Sequence, residues 1–179
     1  VLYSEKPDIG TFMREWQALY SSKSGERGIF NRVAANTQAD STGRRDTEGV
    51  QFGTNPCSEI ILRPYQFCNL TEVVARDTDT LETLKDKVEL ATILGTFQST
   101  LTNFKYLRKV WKENTEEERL LGVSLTGIYD CPLLYQDFSR DGVASIRLAD
   151  VLQELKKHAI KTNKYWSKLL GIPQSTAIT

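Results

Sequence analysis

The run Asn55-Pro56-Cys57-Ser58-Glu59-Ile60 sets an amide, a thiol and a carboxylate two residues apart from one another. Alternate residues of an extended or tightly looped segment point the same way, so these three side chains can converge on one small substrate. That is a reaction centre in outline. Further along the chain, Phe67-Cys68-Asn69-Leu70-Thr71-Glu72-Val73-Val74 puts a second thiol at the head of an apolar, β-branched stretch that reads as a strand. Where cysteines stay reduced, paired thiols are more often catalytic than structural.

Taken together, Gly53-Thr54-Asn55-Pro56-Cys57-Ser58-Glu59-Ile60-Ile61-Leu62-Arg63-Pro64-Tyr65-Gln66-Phe67-Cys68-Asn69-Leu70 resembles the finger loop and following strand of the ribonucleotide reductase large chain. The short interval between Cys57 and Cys68, with Leu62-Arg63-Pro64 before the second thiol and Asn69-Leu70-Thr71-Glu72-Val73-Val74 after it, is most similar to the monomeric, adenosylcobalamin-dependent class II enzymes. Further patches agree. Ser24-Gly25-Glu26-Arg27-Gly28-Ile29-Phe30 is similar to the family's Gly-Glu-Pro-Gly segment, with Arg27 at the Pro position; Leu121-Gly122-Val123-Ser124-Leu125-Thr126-Gly127 resembles a barrel strand. Pro173-Gln174-Ser175-Thr176-Ala177-Ile178-Thr179 resembles the strand that leads into a phosphate-binding loop.

The resemblance implies a fold, a reaction and residue roles. The fold is part of a ten-stranded α/β barrel, with a finger loop of about residues 50–68 carrying Cys57 into the barrel centre. The reaction is replacement of the ribose 2′-hydroxyl by hydrogen through radical chemistry at the adjacent carbon. A thiyl radical on Cys57 takes the 3′-hydrogen, Glu59 acts as general base on the 3′-hydroxyl, and Asn55 orients the ribose hydroxyls. Cys68, with another thiol upstream, supplies the reducing equivalents and ends as a disulfide. Implied with these are adenosylcobalamin, held mostly outside these residues, a ribonucleoside triphosphate substrate, a deoxynucleotide effector and a thioredoxin-like dithiol reductant. Two other readings stay open: a class I-type large chain whose radical comes from a metal-bearing subunit, and an extein or split-gene piece that functions only when joined to its neighbours.

At 179 residues the chain could bury the core of one domain, yet a complete reductase barrel is several times larger, so the expectation is an internal fragment of the catalytic domain that works with the remaining parts of the same enzyme. The ends, Val1 and Ser175 to Thr179, carry no start or stop signal and fit an intein junction, a cloning boundary or a partial gene equally. The 23 basic and 23 acidic residues cancel, so nothing favours a nucleic acid as partner. No apolar stretch reaches membrane-spanning length and no secretory leader is visible, which gives the expectation of a soluble, cytoplasmic protein.

Cys131 precedes Pro132 outside any motif and reads as a core residue. His158, the sole histidine, lies on a Lys-rich helix and reads as a helix-edge residue, and without a Cys-x-x-Cys pair no metal site is expected. The Lys156, Lys157, Lys161, Lys164 and Lys168 row reads as a solvated face. Gly25 to Gly28 reads as a tight turn.

These groups must be positioned by helices and short strands. Phe12, Trp16 and Leu19 predict a helix over residues 11–20, and Asn36 to Gly49 reads as an irregular polar loop. Leu84, Val88, Ala91, Gly95 and Leu101 predict one face of a long helix from Leu81 that continues, with a break, past Trp111. Thr115-Glu116-Glu117-Glu118 reads as the capped start of another helix. A strand at Val123 to Leu125 precedes a last helix from Ile146 to Leu170 with an apolar face of Leu148, Val151, Leu152, Leu155, Ala159 and Trp166, stopped by Gly171 and Pro173. Strands alternating with long helices predict an α/β fold with parallel pairing.

Overall fold

A computed structural model describes residues 2–25, 28–45, 48–135 and 146–179 of the chain. Its chain divides into two compact units, Val1–Gln66 and Phe67–Thr179. The fold is mixed α/β, and the strands form small sheets with no closed barrel among the described residues.

In the first unit, β1 (Leu2–Tyr3) pairs in parallel with β2 (Phe30–Asn31). Helix α1 (Ile9–Ser22) is started by Asp8, whose carboxylate accepts the Thr11 N–H at 3.0 Å. Phe12 and Trp16 stack at 6.3 Å, as their spacing predicts, but no residue of α1 is buried. Helix α2 (Arg32–Asp40) occupies the start of the stretch read as loop; Asn31 caps it by accepting the Ala34 N–H at 3.0 Å, and Ala35 and Ala39 are buried. The expected turn at Gly25 to Gly28 includes Glu26 and Arg27, which lie outside the described residues. Strands β3 (Gly53–Thr54) and β4 (Ile61–Leu62) then pair antiparallel.

The second unit is built on β5 (Asn69–Val74) and β6 (Leu121–Thr126), parallel in the register Asn69↔Leu121 to Val74↔Thr126. Parallel neighbours need a crossover, supplied here by α3 (Leu81–Gln98) and α4 (Lys109–Glu118). A short 3₁₀ turn, Ile128–Asp130, follows β6, and α5 (Ile146–Leu170) packs against α3. The last residues return to the sheet on the far side of β6: Val123 N–H donates to Thr179 O at 2.9 Å and Thr179 N–H to Leu121 O at 3.1 Å. The expected parallel α/β pattern is therefore present.

Leu84, Val88 and Ala91 of α3, Val151, Leu155 and Ala159 of α5, and Val73, Leu121 and Ile178 of the strands close one apolar core. A buried polar seam joins the same elements: Asn163 Nδ2 donates to Thr96 Oγ1 at 3.0 Å while its Oδ1 accepts the Ser175 N–H at 3.0 Å. Gly127 has φ +76°, and a Cβ there would lie 2.3 Å from Ala75 O, so only glycine fits. Gly171, at φ +66°, ends α5 with Ile172 N–H donating back to Ser167 O at 3.0 Å, the glycine stop read from the sequence.

Three expectations are corrected. Thr115 to Glu118 close α4 rather than open a helix: Thr115 is buried, and the cap after Glu118 is Arg119 in the left-handed conformation at φ 45°. Leu101 lies beyond the end of α3 and is 73% exposed. Of the apolar face expected on α5, Leu152 is 41% exposed, while the five lysines are all exposed as expected.

Candidate active site

The segment bearing Cys57 is a hairpin with a two-rung ladder, Gly53 opposite Leu62 and Thr54 opposite Ile61. Between them the backbone reverses in a turn closed by the Ser58 N–H donating to Asn55 O at 3.1 Å. Pro56 suits the second position of such a turn through its fixed φ, and Ser58 absorbs the reversal at φ 65°. Cys57 sits at the third position, exposed and with a free thiol.

The reversal, rather than strand alternation, brings Asn55 and Glu59 together. Asn55 Nδ2 donates to Glu59 Oε1. Its Oδ1 accepts the Ile60 N–H at 3.3 Å, and the Thr54 hydroxyl lies 3.1 Å from Ile60 O and 3.4 Å from Asn55 Oδ1. The amide orientation thus follows from this network: one face of Asn55 is tied to the hairpin and the other holds the carboxylate. Glu59 is exposed, so its second oxygen is accessible to a proton donor. Chemically, the loop tip offers a reachable thiol and a carboxylate fixed by an amide on a single short turn.

Cys68 stands directly before β5 in the second unit, half-buried. Its neighbours are anchored. Phe67 packs on Trp111 at 4.7 Å and Phe104 at 5.2 Å, and Asn69 donates from both N and Nδ2 to Leu120 O, at 2.9 and 3.1 Å. Cys131 is wholly buried in the apolar core, as expected of a packing residue. His158 pairs through Nε2 with Glu89 Oε2 at 2.8 Å at the edge of α5. Among the described residues no cluster of three or more His, Cys, Asp or Glu could hold a metal ion, and no helix is long and apolar enough to cross a membrane.

Sequence reasoning missed two groups that shape this loop, Thr54 and Arg45. Thr54 was open to inference, as a hydroxyl next to Asn-Pro at a turn is a common local hydrogen-bonder. Nothing in the polar run around Arg45 marks it as buried, yet it is only 7% exposed and its guanidinium lies 4.6 Å from the Phe52 ring centroid.

Comparison with known proteins finds distant relatives over most of the chain. Adenosylcobalamin-dependent ribonucleoside-triphosphate reductases of Lactobacillus delbrueckii subsp. bulgaricus and of Lactobacillus leichmannii are each 28% identical over 178 residues, covering 86% of this chain and 23% of the relative. The same enzyme of Lacticaseibacillus paracasei is 33% identical over 125 residues, covering 69% of this chain and 16% of the relative. The chain is a distant homologue of these reductases and spans less than a quarter of their length. No protein-family model matches it, and no solved structure matches it at a significant level.

Proposed function

We propose that this chain is a segment of the catalytic part of an adenosylcobalamin-dependent ribonucleoside-triphosphate reductase, which makes 2′-deoxyribonucleotides for DNA synthesis. The observation that carries the reading is the finger-loop turn, where an exposed free thiol, Cys57, shares one tip with a carboxylate, Glu59, held by Asn55. The distant homologues support it.

Adenosylcobalamin, when bound, supplies a radical able to take a hydrogen atom from a thiol. Cys57 fits that demand, being exposed on a turn. The residues that grip the cofactor are not assigned to this chain, whose one imidazole, His158, is engaged by Glu89. The Cys57 sulfur radical takes the ribose 3′-hydrogen, forming its S–H bond. Glu59 accepts the 3′-hydroxyl proton, which drives the 2′-oxygen out as water once that oxygen is protonated. Asn55 uses one Nδ2 hydrogen on Glu59 and keeps the other for a ribose hydroxyl. Cys68 and a second thiol give up two electrons and two protons and end as a disulfide, and Cys57 returns the 3′-hydrogen. Electrons and atoms then balance: one dithiol is oxidised for each 2′-hydroxyl lost as water. A dithiol reductant of the thioredoxin kind resets the pair.

The test uses the intact reductase that carries this segment. Cys57→Ser abolishes deoxynucleotide formation, because an alcohol O–H is too strong a bond to yield the radical, while the circular dichroism spectrum and nucleotide binding are unchanged. Cys68→Ser still permits loss of the 3′-hydrogen but stops multiple turnover with a dithiol. Sustained turnover by Cys57→Ser overturns the radical assignment, and normal turnover by Cys68→Ser makes that thiol a packing residue.

A further inference from the structure

A two-rung antiparallel ladder is too short to hold a loop in one geometry, since isolated hairpins are at best marginal in water. The hairpin is instead braced from outside by two arginines of the same unit. Arg32, at the start of α2, donates from Nε to Phe52 O at 2.9 Å and from Nη1 to Gln51 Oε1 at 3.3 Å and Ser4 Oγ at 2.9 Å, fixing the strand that enters the loop. Arg45, beyond the end of α2, donates from Nη1 to Ile61 O at 3.0 Å on the strand that leaves it. The Arg45 guanidinium also lies over the fully buried Phe52 ring at 4.6 Å, so one side chain grips both strands at once.

Burying a guanidinium is costly unless it is hydrogen-bonded or stacked, and this one is both. The carbonyl it takes belongs to the residue after Ile60, whose N–H fixes Asn55 and, through Asn55, Glu59. We propose that Arg45 is a positioning residue for the reactive loop: by locking Phe52 to Ile61 it sets where the Cys57–Glu59 tip stands, without touching substrate. The proposal rests on the reductase reading for its catalytic consequence, while its structural part stands by itself.

Amide hydrogen exchange and turnover of the intact reductase test the two parts separately. In Arg45→Gln, exchange at the Ser58 and Ile60 amides rises about tenfold or more, whereas amides of β5 and β6 keep their protection. Turnover per folded molecule falls by up to about 10²-fold with the substrate KM nearly unchanged, the cost expected of misplacing a reacting group by about 1 Å. A deuterium isotope effect from the 3′-position grows, because hydrogen abstraction becomes limiting; a mere loss of folded protein leaves that effect unmoved. Arg45→Lys, which keeps the charge and one donor, restores part of both. Unchanged exchange at Ser58 and Ile60 in Arg45→Gln overturns the brace whatever the reaction is. Raised exchange with an unaltered isotope effect and rate overturns its role in positioning. A parent enzyme that reduces nucleotides equally well as Cys57→Ser is the separate failure of the reductase reading, and it removes the catalytic part of this one.

Discussion

The hairpin that carries Cys57 and the parallel pair that follows Cys68 are held in opposite ways. In the first, two rungs of ladder are supplemented by side chains: Arg32, Arg45 and Thr54 donate to backbone carbonyls, and Asn55 accepts the Ile60 N–H. In the second, a ladder from Asn69↔Leu121 to Val74↔Thr126 is sealed by an apolar core in which Leu84, Leu121, Cys131 and Leu134 are at most 1% exposed. A core defines structure through area removed from water, which is insensitive to direction. Hydrogen bonds to specific carbonyls define direction, which a reacting loop needs. The second arrangement gives stability; the first gives aim.

The thiols divide along the same line, and exchanging them breaks the comparison most sharply. Against the total loss of reduction expected for Cys57→Ser, Cys131→Ser keeps the chemistry and loses stability, by about 1–3 kcal/mol for a hydroxyl buried in an apolar core. Urea unfolding monitored beside turnover separates the two. Equal catalytic damage from both substitutions would mean that the core and the loop tip are not functionally distinct.

Leu84→Ala probes the core alone. Leu84 is fully buried on α3 among the residues of the second unit's cluster, so its truncation costs about 2–5 kcal/mol, depending on how far the cavity collapses. A loss in denaturant midpoint is expected with no change in the 3′-hydrogen isotope effect, the reverse of the Arg45→Gln pattern.

The same contrast explains what was legible in the sequence. The helix from Ile146 to Leu170, the start of α3 at Leu81 and the strand around Val123 follow from apolar periodicity, because the core that buries Val88, Leu155 and Val73 imposes it. Where no core imposes a period the reading slipped. The polar composition of residues 36–49 concealed the last residues of α2, although Asn31 is an ordinary cap residue that could have marked its start. Thr115 to Glu118 have the composition of a helix start, yet they end α4 because Arg119 takes the left-handed cap that glycine usually supplies. At the site, spacing identified Asn55, Cys57 and Glu59 as one group, and the turn does unite Asn55 with Glu59. The brace was invisible, since Arg45 lies far from Ile61 in sequence and only the folded hairpin joins them.

The smallest expected effect tests a polar staple in the core-built unit. Asp79 accepts the Arg76 N–H at 2.7 Å and the Thr83 hydroxyl at 2.9 Å and pairs with Lys87 at 2.6 Å; Lys87 also donates to Val74 O at 3.0 Å. The end of β5 is thereby tied to the first turns of α3. The Lys87 hydrogen bond, then those of Thr83 and Arg76, outweigh desolvation and hold the Asp79 carboxyl below its ordinary value. A carboxylate with a depressed folded pKa binds fewer protons folded than unfolded. Its contribution is therefore fully present above the ordinary aspartate value and is lost as the pH falls through the lower folded one. Stability of the parent should drop as acid is added below about pH 4, and Asp79→Asn should show a shallower drop from a lower starting point. Denaturant midpoints across that range measure it. A pH slope identical in the two proteins would show that the staple contributes nothing, leaving the apolar core to hold β5 against α3 unaided.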